Sequence, residues 1–218
     1  ATNAFEVVFS TSEELKGLPD NELAIAQEKA KAKGKEGYLF DLSAPSYGAI
    51  MKYADDRKLR EKFYKVYNSK AFEGEFDNNG IIAEIVSLRF KLARLMGFEN
   101  YAEYALQDRM AENAKNVYNL LDQLLEVSYA AAKGEIADIT KYAQSIGFKG
   151  NLERWDFTYY SEKYKNYKFN ISDDMVKPYF KLENVIDGVF KLTNKLYGIT
   201  YKQNKKIQVY HQDVTVYE

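Results

Sequence analysis

The chain has 218 residues, enough for one large domain or two small ones. Its 31 basic and 32 acidic side chains nearly cancel, which argues against a nucleic-acid partner, because proteins that bind nucleic acids are normally basic. No apolar run approaches the ~20 residues that span a bilayer, so no membrane partner is predicted.

Helix signals are dense in the first half of the chain. Thr11 and Glu14 form a capping box for a short turn that ends at Gly17. Asp20 caps the first long helix, and Gly34 provides its left-handed stop. Helices are predicted at 21–33, after Pro45, from Asp55 or Asp56 to about Phe72, at 81–96 and at 100–107, with an extended run at 38–42 and a turn at 74–79.

Three longer helices are predicted in the second half, at 113–146, 155–169 and 182–197. The first is one long apolar pattern that ends at Gly147, and Gly198 stops the last. Between them, Ser172 caps a turn in which Asp173 and Asp174 suit the positive end of the helix dipole.

After residue 198 the spacing of apolar residues changes from that of a helix to that of a strand. Residues 199–202 and 207–217 alternate apolar and polar side chains, as half-buried strands do. A strand needs a neighbour, and few strand candidates precede this segment. We therefore expect a mainly α protein, cut from a longer one, with a helical body at 1–198 and a strand segment at 199–218 that belongs to an incomplete small sheet.

The sequence contains few side chains of the types that carry out catalysis. The sequence has one histidine, His211, and no cysteine, so thiolate zinc sites and cysteine nucleophiles are excluded. A hydrolytic zinc site usually needs three protein ligands, mostly imidazole. A Ser-His-Asp triad would have to use His211 with Asp213 and is disfavoured. We predict no catalytic residue and no metal ligand within this chain.

The most distinctive cluster is aromatic and runs from Trp155 to Tyr160. Trp155 and Tyr159 lie four residues apart, on one face of the predicted helix. Two interpretations stay open on physical grounds: a core anchor, which the spacing favours, and an aromatic wall beside a cleft.

Several stretches, in order and with matching spacing over nearly the whole chain, resemble the zinc oligopeptidases of the thimet oligopeptidase and bacterial peptidyl-dipeptidase group. The N-terminal stretches are Gly17-Leu18-Pro19, Pro45-Ser46-Tyr47, Arg57-Lys58-Leu59-Arg60-Glu61 and the segment 88–102. The C-terminal stretches are Arg109-Met110-Ala111, Trp155-Asp156-x-x-Tyr159-Tyr160, Lys177-Pro178-Tyr179-Phe180 and Leu196-Tyr197-Gly198-Ile199. The end, 211–218, resembles the family's Trp-His-x-Asp-Val-x-Val-Tyr-Glu, with Tyr210 in place of the tryptophan.

The resemblance implies the helical lobe of a neurolysin- or thimet-oligopeptidase-like metallopeptidase, with a small C-terminal β fragment. The family's zinc motif, His-Glu-x-x-His, is absent from these residues. The implied function is a non-catalytic segment, channel wall and scaffold, of a zinc peptidase. The short consensus favours the peptidyl-dipeptidase branch, which removes C-terminal dipeptides from short peptides. The parent protein would hold zinc, and this segment would hold none.

The resemblance also suggests site residues and partners. The substrate-channel candidates are Trp155, Tyr159, Tyr160 and His211. The expected partners are short peptides and the C-terminal catalytic part of the same chain, and the terminal strands could pair between copies. The resemblance favours the cytoplasm, with the periplasm as an alternative. The competing hypothesis is a stand-alone helical binding or scaffold module that has lost the chemistry.

Overall fold

The computed structural model describes residues 4–218. The chain divides into two compact units, of which the first ends at Tyr164 and the second begins at Lys165. The structure is mainly helical with a small sheet, which confirms the predicted fold class. None of the described helices is long and apolar enough to cross a membrane. The predicted division at residue 198 stays a prediction.

The first unit contains the two strands and most of the helices. In chain order these are β1 (Glu6–Phe9), α1 (Asp20–Ala32), β2 (Tyr38–Asp41), α2 (Ala44–Tyr53), α3 (Arg57–Asn68), α4 (Asn79–Leu95), α5 (Tyr101–Leu106) and α6 (Ala114–Ser145). Helix α7 (Arg154–Phe169) contains the division, and α8 (Asp173–Val176) and α9 (Leu182–Tyr197) follow it. Short 3-10 turns lie at Ser12–Leu15, Gly74–Phe76 and Lys177–Tyr179.

Most of the predicted helix boundaries are confirmed to within two residues. The capping box of Thr11 and Glu14 is present, and Gly198 ends α9 in the left-handed region at φ 69°. Ser172 caps α8 through the backbone N–H of Met175, whereas the side chain of Asp174 lies outside the described part of the structure. The prediction that α3 reaches Phe72 is wrong: the helix ends at Asn68.

Two antiparallel strands form the sheet of the first unit. Glu6 pairs with Asp41 and Phe9 pairs with Tyr38. The extended run at 38–42 was predicted, but β1 was not. Its Val-Val-Phe sequence carries the β-branched and aromatic enrichment that is typical of strands, over only four residues.

The hydrophobic core lies where helices α1 and α2 contact β2 and where α3 packs against α2. Phe40, Ile50 and Phe63 are each at most 2% exposed at its centre. Helix α1 contributes small side chains, Ala26 and Ala30, to its buried face, so the helix can approach the sheet closely. The core therefore fixes the position of α3, on which the candidate site is built.

The middle helices bury little surface. Helix α4 buries Ala93, and α6 buries Ile139 and Ala143 near its C-terminal end. With 32 residues, α6 is about 48 Å long. Helix α5 contacts both α4 and α6.

The C-terminal strands are shorter than predicted. Instead of strands at 199–202 and 207–217, backbone hydrogen bonds pair residues 202 and 204 with 218 and 216, around an antiparallel bridge between Gln203 and Tyr217. A turn interrupts the second predicted strand, because Val214 N–H donates to the carbonyl of His211. The ring of Phe190 on α9 stacks on Tyr201 at 4.2 Å and meets Tyr217 edge-on at 4.8 Å.

Two glycines with positive φ provide a matched test of this fold. Gly17 has φ 97°, and a Cβ there would overlap the carbonyl oxygen of Tyr53; Gly34 has φ 66° with no atom within 4 Å of such a Cβ. We expect Gly34→Ala to lower the free energy of unfolding by about 1 kcal/mol, since only backbone strain is added. Gly17→Ala should lower the free energy of unfolding by roughly 2–4 kcal/mol, because steric overlap is added to the backbone strain.

Urea denaturation of both variants measures the difference. Equal losses at the two positions would contradict the close approach of residue 17 to the end of α2.

Candidate functional site

The candidate site lies at the start of α7, where the sequence reads Trp-Asp-Phe-Thr-Tyr-Tyr from residue 155. Asp156 and Tyr159 are buried and three residues apart, so the two side chains leave the same face of the helix. Asp156 accepts the backbone N–H of Glu153 at 3.0 Å, which satisfies one of the free donors of the first turn. The position also suits a carboxylate, because the start of a helix is the positive end of its dipole.

Two arginines of α3 bind the carboxylate of Asp156. Arg57 donates from its Nε to Oδ1 at 3.0 Å and from an Nη to Oδ2 at 2.7 Å, and Arg60 donates to Oδ1 at 3.0 Å. Asp156 and Arg60 are 0% and 1% exposed, whereas Arg57 is 46% exposed. Such charge-assisted and partly bidentate hydrogen bonds are the strong ones in proteins. We call Asp156, Arg57 and Arg60 the ionic junction.

Arg60 also donates to three backbone carbonyls. Its Nη1 donates to the carbonyls of Ala54 at 2.7 Å and Asp55 at 3.2 Å, and its Nε donates to the carbonyl of Trp155 at 3.1 Å. The guanidinium therefore joins the end of α2, the start of α3 and the start of α7. A buried arginine with its donors so occupied is positioned to hold elements together and has little capacity left to bind a ligand.

Ionisation of the junction follows from these contacts. Burial alone would raise the pKa of Asp156, but the hydrogen bonds from Arg57, from the N–H of Glu153 and from Arg60 outweigh it, so the pKa lies below its ordinary value. The hydrogen bond with Asp156 in turn raises the pKa of Arg57. Asp156 is thus ionised at neutral pH and does not serve as a general acid.

Tyr159 forms a second link between α7 and the α2–α3 connection. Its hydroxyl donates to Asp55 Oδ1 at 2.7 Å, and the guanidinium of Arg60 lies 4.1 Å from its ring centroid. Burial, the hydrogen bond with Asp55 and the charge of Asp55 raise the pKa of Tyr159 well above its ordinary value. The hydroxyl stays protonated at neutral pH and acts as a donor.

Trp155 and Tyr160 flank the junction. The ring of Trp155 lies 5.8 Å from Tyr64, with the cationic groups of Arg57 and Lys65 each 5.7 Å from its centroid. Its indole Nε1 is shielded from solvent and has no hydrogen-bond partner among residues 4–218. Tyr160 packs on Phe148 at 5.2 Å, and burial raises its pKa.

His211 belongs to the second unit and lies apart from this cluster in the chain. Its side chain is 58% exposed, and its Nδ1 accepts the backbone N–H of Asp213 at 3.3 Å within the turn that interrupts the predicted strand. The structure therefore brings Trp155, Tyr159 and Tyr160 together at the junction, while their assignment to a substrate channel, like that of His211, stays a prediction.

The roles of Asp156, Arg57 and Arg60 were not predicted from the sequence. One signal was available: Arg60 lies between Leu59 and Phe63 on a helix face that is otherwise buried, and a charge at such a position needs a buried partner. Among the described side chains, which leave out that of Asp174, no three histidine, aspartate or glutamate residues are placed to hold a metal ion.

Comparison with known proteins identifies the family. The profile of Peptidase family M3 matches residues 50–218. The chain belongs to Peptidase family M3. This confirms the resemblance that the motifs indicated.

Three relatives show how much of a family member the chain represents. Oligopeptidase A of Escherichia coli is 38% identical over 100% of this chain and 33% of its own length. Probable cytosolic oligopeptidase A of Arabidopsis thaliana is 36% identical over 91% of the chain and 30% of its own length. Dipeptidyl carboxypeptidase of E. coli is 31% identical over 94% of the chain and 30% of its own length. The chain thus spans about one third of the length of the curated relatives that it matches.

Removing the charge of Asp156 tests the ionic junction. Asp156→Asn keeps the size of the side chain but leaves Arg60 buried without a counter-charge, so we expect a loss of ~3–5 kcal/mol in the free energy of unfolding. Glu61→Gln is the matched control, because Glu61 pairs with Lys65 in a solvent-accessible i,i+4 pair, and it should lose about 0.5 kcal/mol or less. Urea denaturation measures both, and similar losses would contradict a stabilising role for the junction.

The pH dependence of stability follows from the lowered pKa of Asp156. A carboxylate whose folded pKa lies below its unfolded value, about 3.9, stabilises the fold above that value, and the contribution is lost as the pH falls towards the folded pKa. We expect the free energy of unfolding to be flat from neutral pH to about 5 and then to fall. The fall should be shallower in Asp156→Asn.

Urea titrations at a series of pH values measure the two slopes, and the difference between them isolates Asp156 from other carboxylates such as Asp41, whose pKa is also lowered. Parallel curves for the two proteins would show that Asp156 does not titrate differently on folding.

Proposed function

We propose that this chain is a non-catalytic segment of a zinc metallopeptidase and forms channel wall and scaffold. Two observations carry the proposal. The whole chain aligns with one third of oligopeptidase A, and the side chains that the structure describes hold no set of metal ligands. Members of family M3 are zinc-dependent, so zinc would be bound by other residues of the parent protein.

The ionic junction explains what the segment would contribute. By fixing the start of α7 on α3, Asp156 holds Trp155 in a defined orientation beside Arg57 and Tyr160 in one against Phe148. A wall that confines a peptide needs rigid side chains, and aromatic rings provide apolar area with few rotatable bonds. Trp155, Tyr159, Tyr160 and His211 are the proposed channel residues, with Tyr159 in a supporting role because its hydroxyl is held by Asp55.

The proposed substrates are short peptides, from which the parent enzyme would remove C-terminal dipeptides. The similarity to dipeptidyl carboxypeptidase supports this reaction, and the similarity to oligopeptidase A supports peptides as the substrate class. Mass spectrometry of the products formed by the parent enzyme from one unmodified decapeptide tests the reaction. Successive loss of two residues from the C-terminus is expected, and cleavage at internal bonds would contradict it.

The proposed partners follow from the same reasoning. The main partner is the remaining catalytic part of the same polypeptide. The near-neutral net charge of −1 argues against nucleic acid. The segment at 199–218 could pair with a second copy of the chain through its backbone groups. The cytoplasm is the proposed compartment, which the cytosolic relative from A. thaliana supports, with the periplasm as the alternative.

One alternative is kept. The chain could be a stand-alone helical binding or scaffold module that descends from the peptidase but has lost its chemistry. The lack of a set of metal ligands among the described side chains is equally compatible with that module. Sequencing the reading frame beyond the codon for Glu218 separates the two: a His-Glu-x-x-His motif supports the peptidase segment, and a stop codon supports the module.

Metal analysis of the purified 218-residue chain tests its predicted inactivity. We expect no stoichiometric zinc and no peptide hydrolysis, because one histidine cannot supply the imidazole ligands of a hydrolytic zinc site. The product of the complete reading frame is the positive control. One tightly held zinc ion per 218-residue chain, with hydrolysis abolished by a chelator, would overturn the proposal.

A further inference from the structure

Helix α6 carries an exposed apolar stripe. Its members are each more than half exposed: Leu120, Leu121, Leu124, Leu125, Val127 and Tyr129. Residues three and four apart share a face of a helix, so these side chains form one continuous surface, which we call the α6 stripe. A folded soluble protein rarely leaves such a surface uncovered unless it is an interaction site.

The α6 stripe continues a face that is already packed at the other end of the helix. Ile139 and Ala143 are 6% and 0% exposed, and they follow Leu121 and Leu125 along the same face in steps of three and four residues. Near this buried end, the ring of Tyr142 lies 5.4 Å from Tyr164 of α7. One face of α6 is therefore covered over its last turns and open over the preceding ones.

Helix α4 repeats the feature independently. Ile81, Ile85, Leu88, Leu92 and Leu95 recur at the same spacing and are 41–84% exposed. The two helices therefore expose apolar stripes on a unit whose own core, built around α1–α3, is fully covered.

We propose that the α6 stripe is the docking surface for the remainder of the metallopeptidase polypeptide, which would place a complementary apolar surface on it. This inference rests on the proposed function. The relatives carry about two thirds of their length outside the part that matches this chain. A covalently attached partner has an effective concentration in the millimolar range, whereas a second copy must offset the full entropy of association. The attached polypeptide is therefore the favoured occupant.

Hydroxyl-radical footprinting of two proteins tests the proposal: the 218-residue chain and the product of the complete reading frame. We expect the oxidation rates of Leu121, Leu124 and Leu125 to fall roughly tenfold in the longer protein, as expected when half-exposed side chains become buried. Asn119, on the opposite face of α6, lies outside the proposed contact. Equal oxidation of the stripe in both proteins would overturn the proposal.

A variant pair provides the second readout. Leu124→Glu should lower the thermal midpoint of the longer protein but leave that of the 218-residue chain unchanged, because Leu124 is 53% exposed there. Asn119→Glu, the matched control, should change neither. If Leu124→Glu leaves the longer protein unchanged as well, the stripe is not buried in it and the proposal is wrong.

The remaining outcomes identify other occupants. In the 218-residue chain, the α6 stripe could be protected from oxidation only at concentrations where sedimentation detects a dimer. That result would assign the surface to a second copy. Protection already present in the monomer would assign it to the chain's own residues. Either result overturns the docking proposal while the proposed function stands. A reading frame that ends at residue 218 overturns both together.

Discussion

A buried carboxylate between two guanidinium groups sets the arrangement of the first unit. Without its arginines, Asp156 would be a buried carboxylate with no counter-charge, and without Asp156, Arg60 would be a buried cation with none. Either unpaired buried charge is far less favourable than the hydrogen-bonded ion pairs. The hydrogen bonds are directional, so a shift of α7 by one helical turn against α3 would break all of them. The apolar core tolerates small shifts far better, because apolar contact has little directionality.

The junction also spans a long stretch of sequence. Arg60 and Asp156 are 96 residues apart, and α4, α5 and α6 lie between them. Closing a loop of that length has an entropic cost of about 4 kcal/mol, close to the ~3–5 kcal/mol that breaking a buried ion pair loses. The apolar core lies within the first 63 residues, between Phe9 and Phe63, and does not reach α7. The ionic contacts therefore carry much of the tertiary connection between the start of α7 and the N-terminal core.

Signals from neighbouring residues in the sequence were enough to predict most of the fold, but they were not enough to predict the contacts of the site. Glycine stops placed the C-terminal ends of α1, α6 and α9, because helix ends depend on neighbouring residues. The predicted cap of α1 was wrong by one position: Pro19 occupies the N-cap, and Asp20 is the first helical residue. The strand β1 is too short to show a period, and the turn at His211 interrupts an alternation that continues on either side of it. The partnership of Asp156 with Arg60 depends on tertiary contact, which the spacing within one helix cannot show. The motif containing Trp155 was recognised, but the structural role of Asp156 within it was not predicted.

The position of Trp155 has a practical consequence. It is the sole tryptophan of the chain, and it precedes the buried Asp156. Its half-buried indole, whose Nε1 is shielded from solvent, lies beside Tyr64 and the cations of α3. Fluorescence emission of an indole depends on the polarity and charge around the ring. The wavelength of that emission is thus a built-in spectroscopic reporter of whether α7 is seated on α3, and it needs no attached dye.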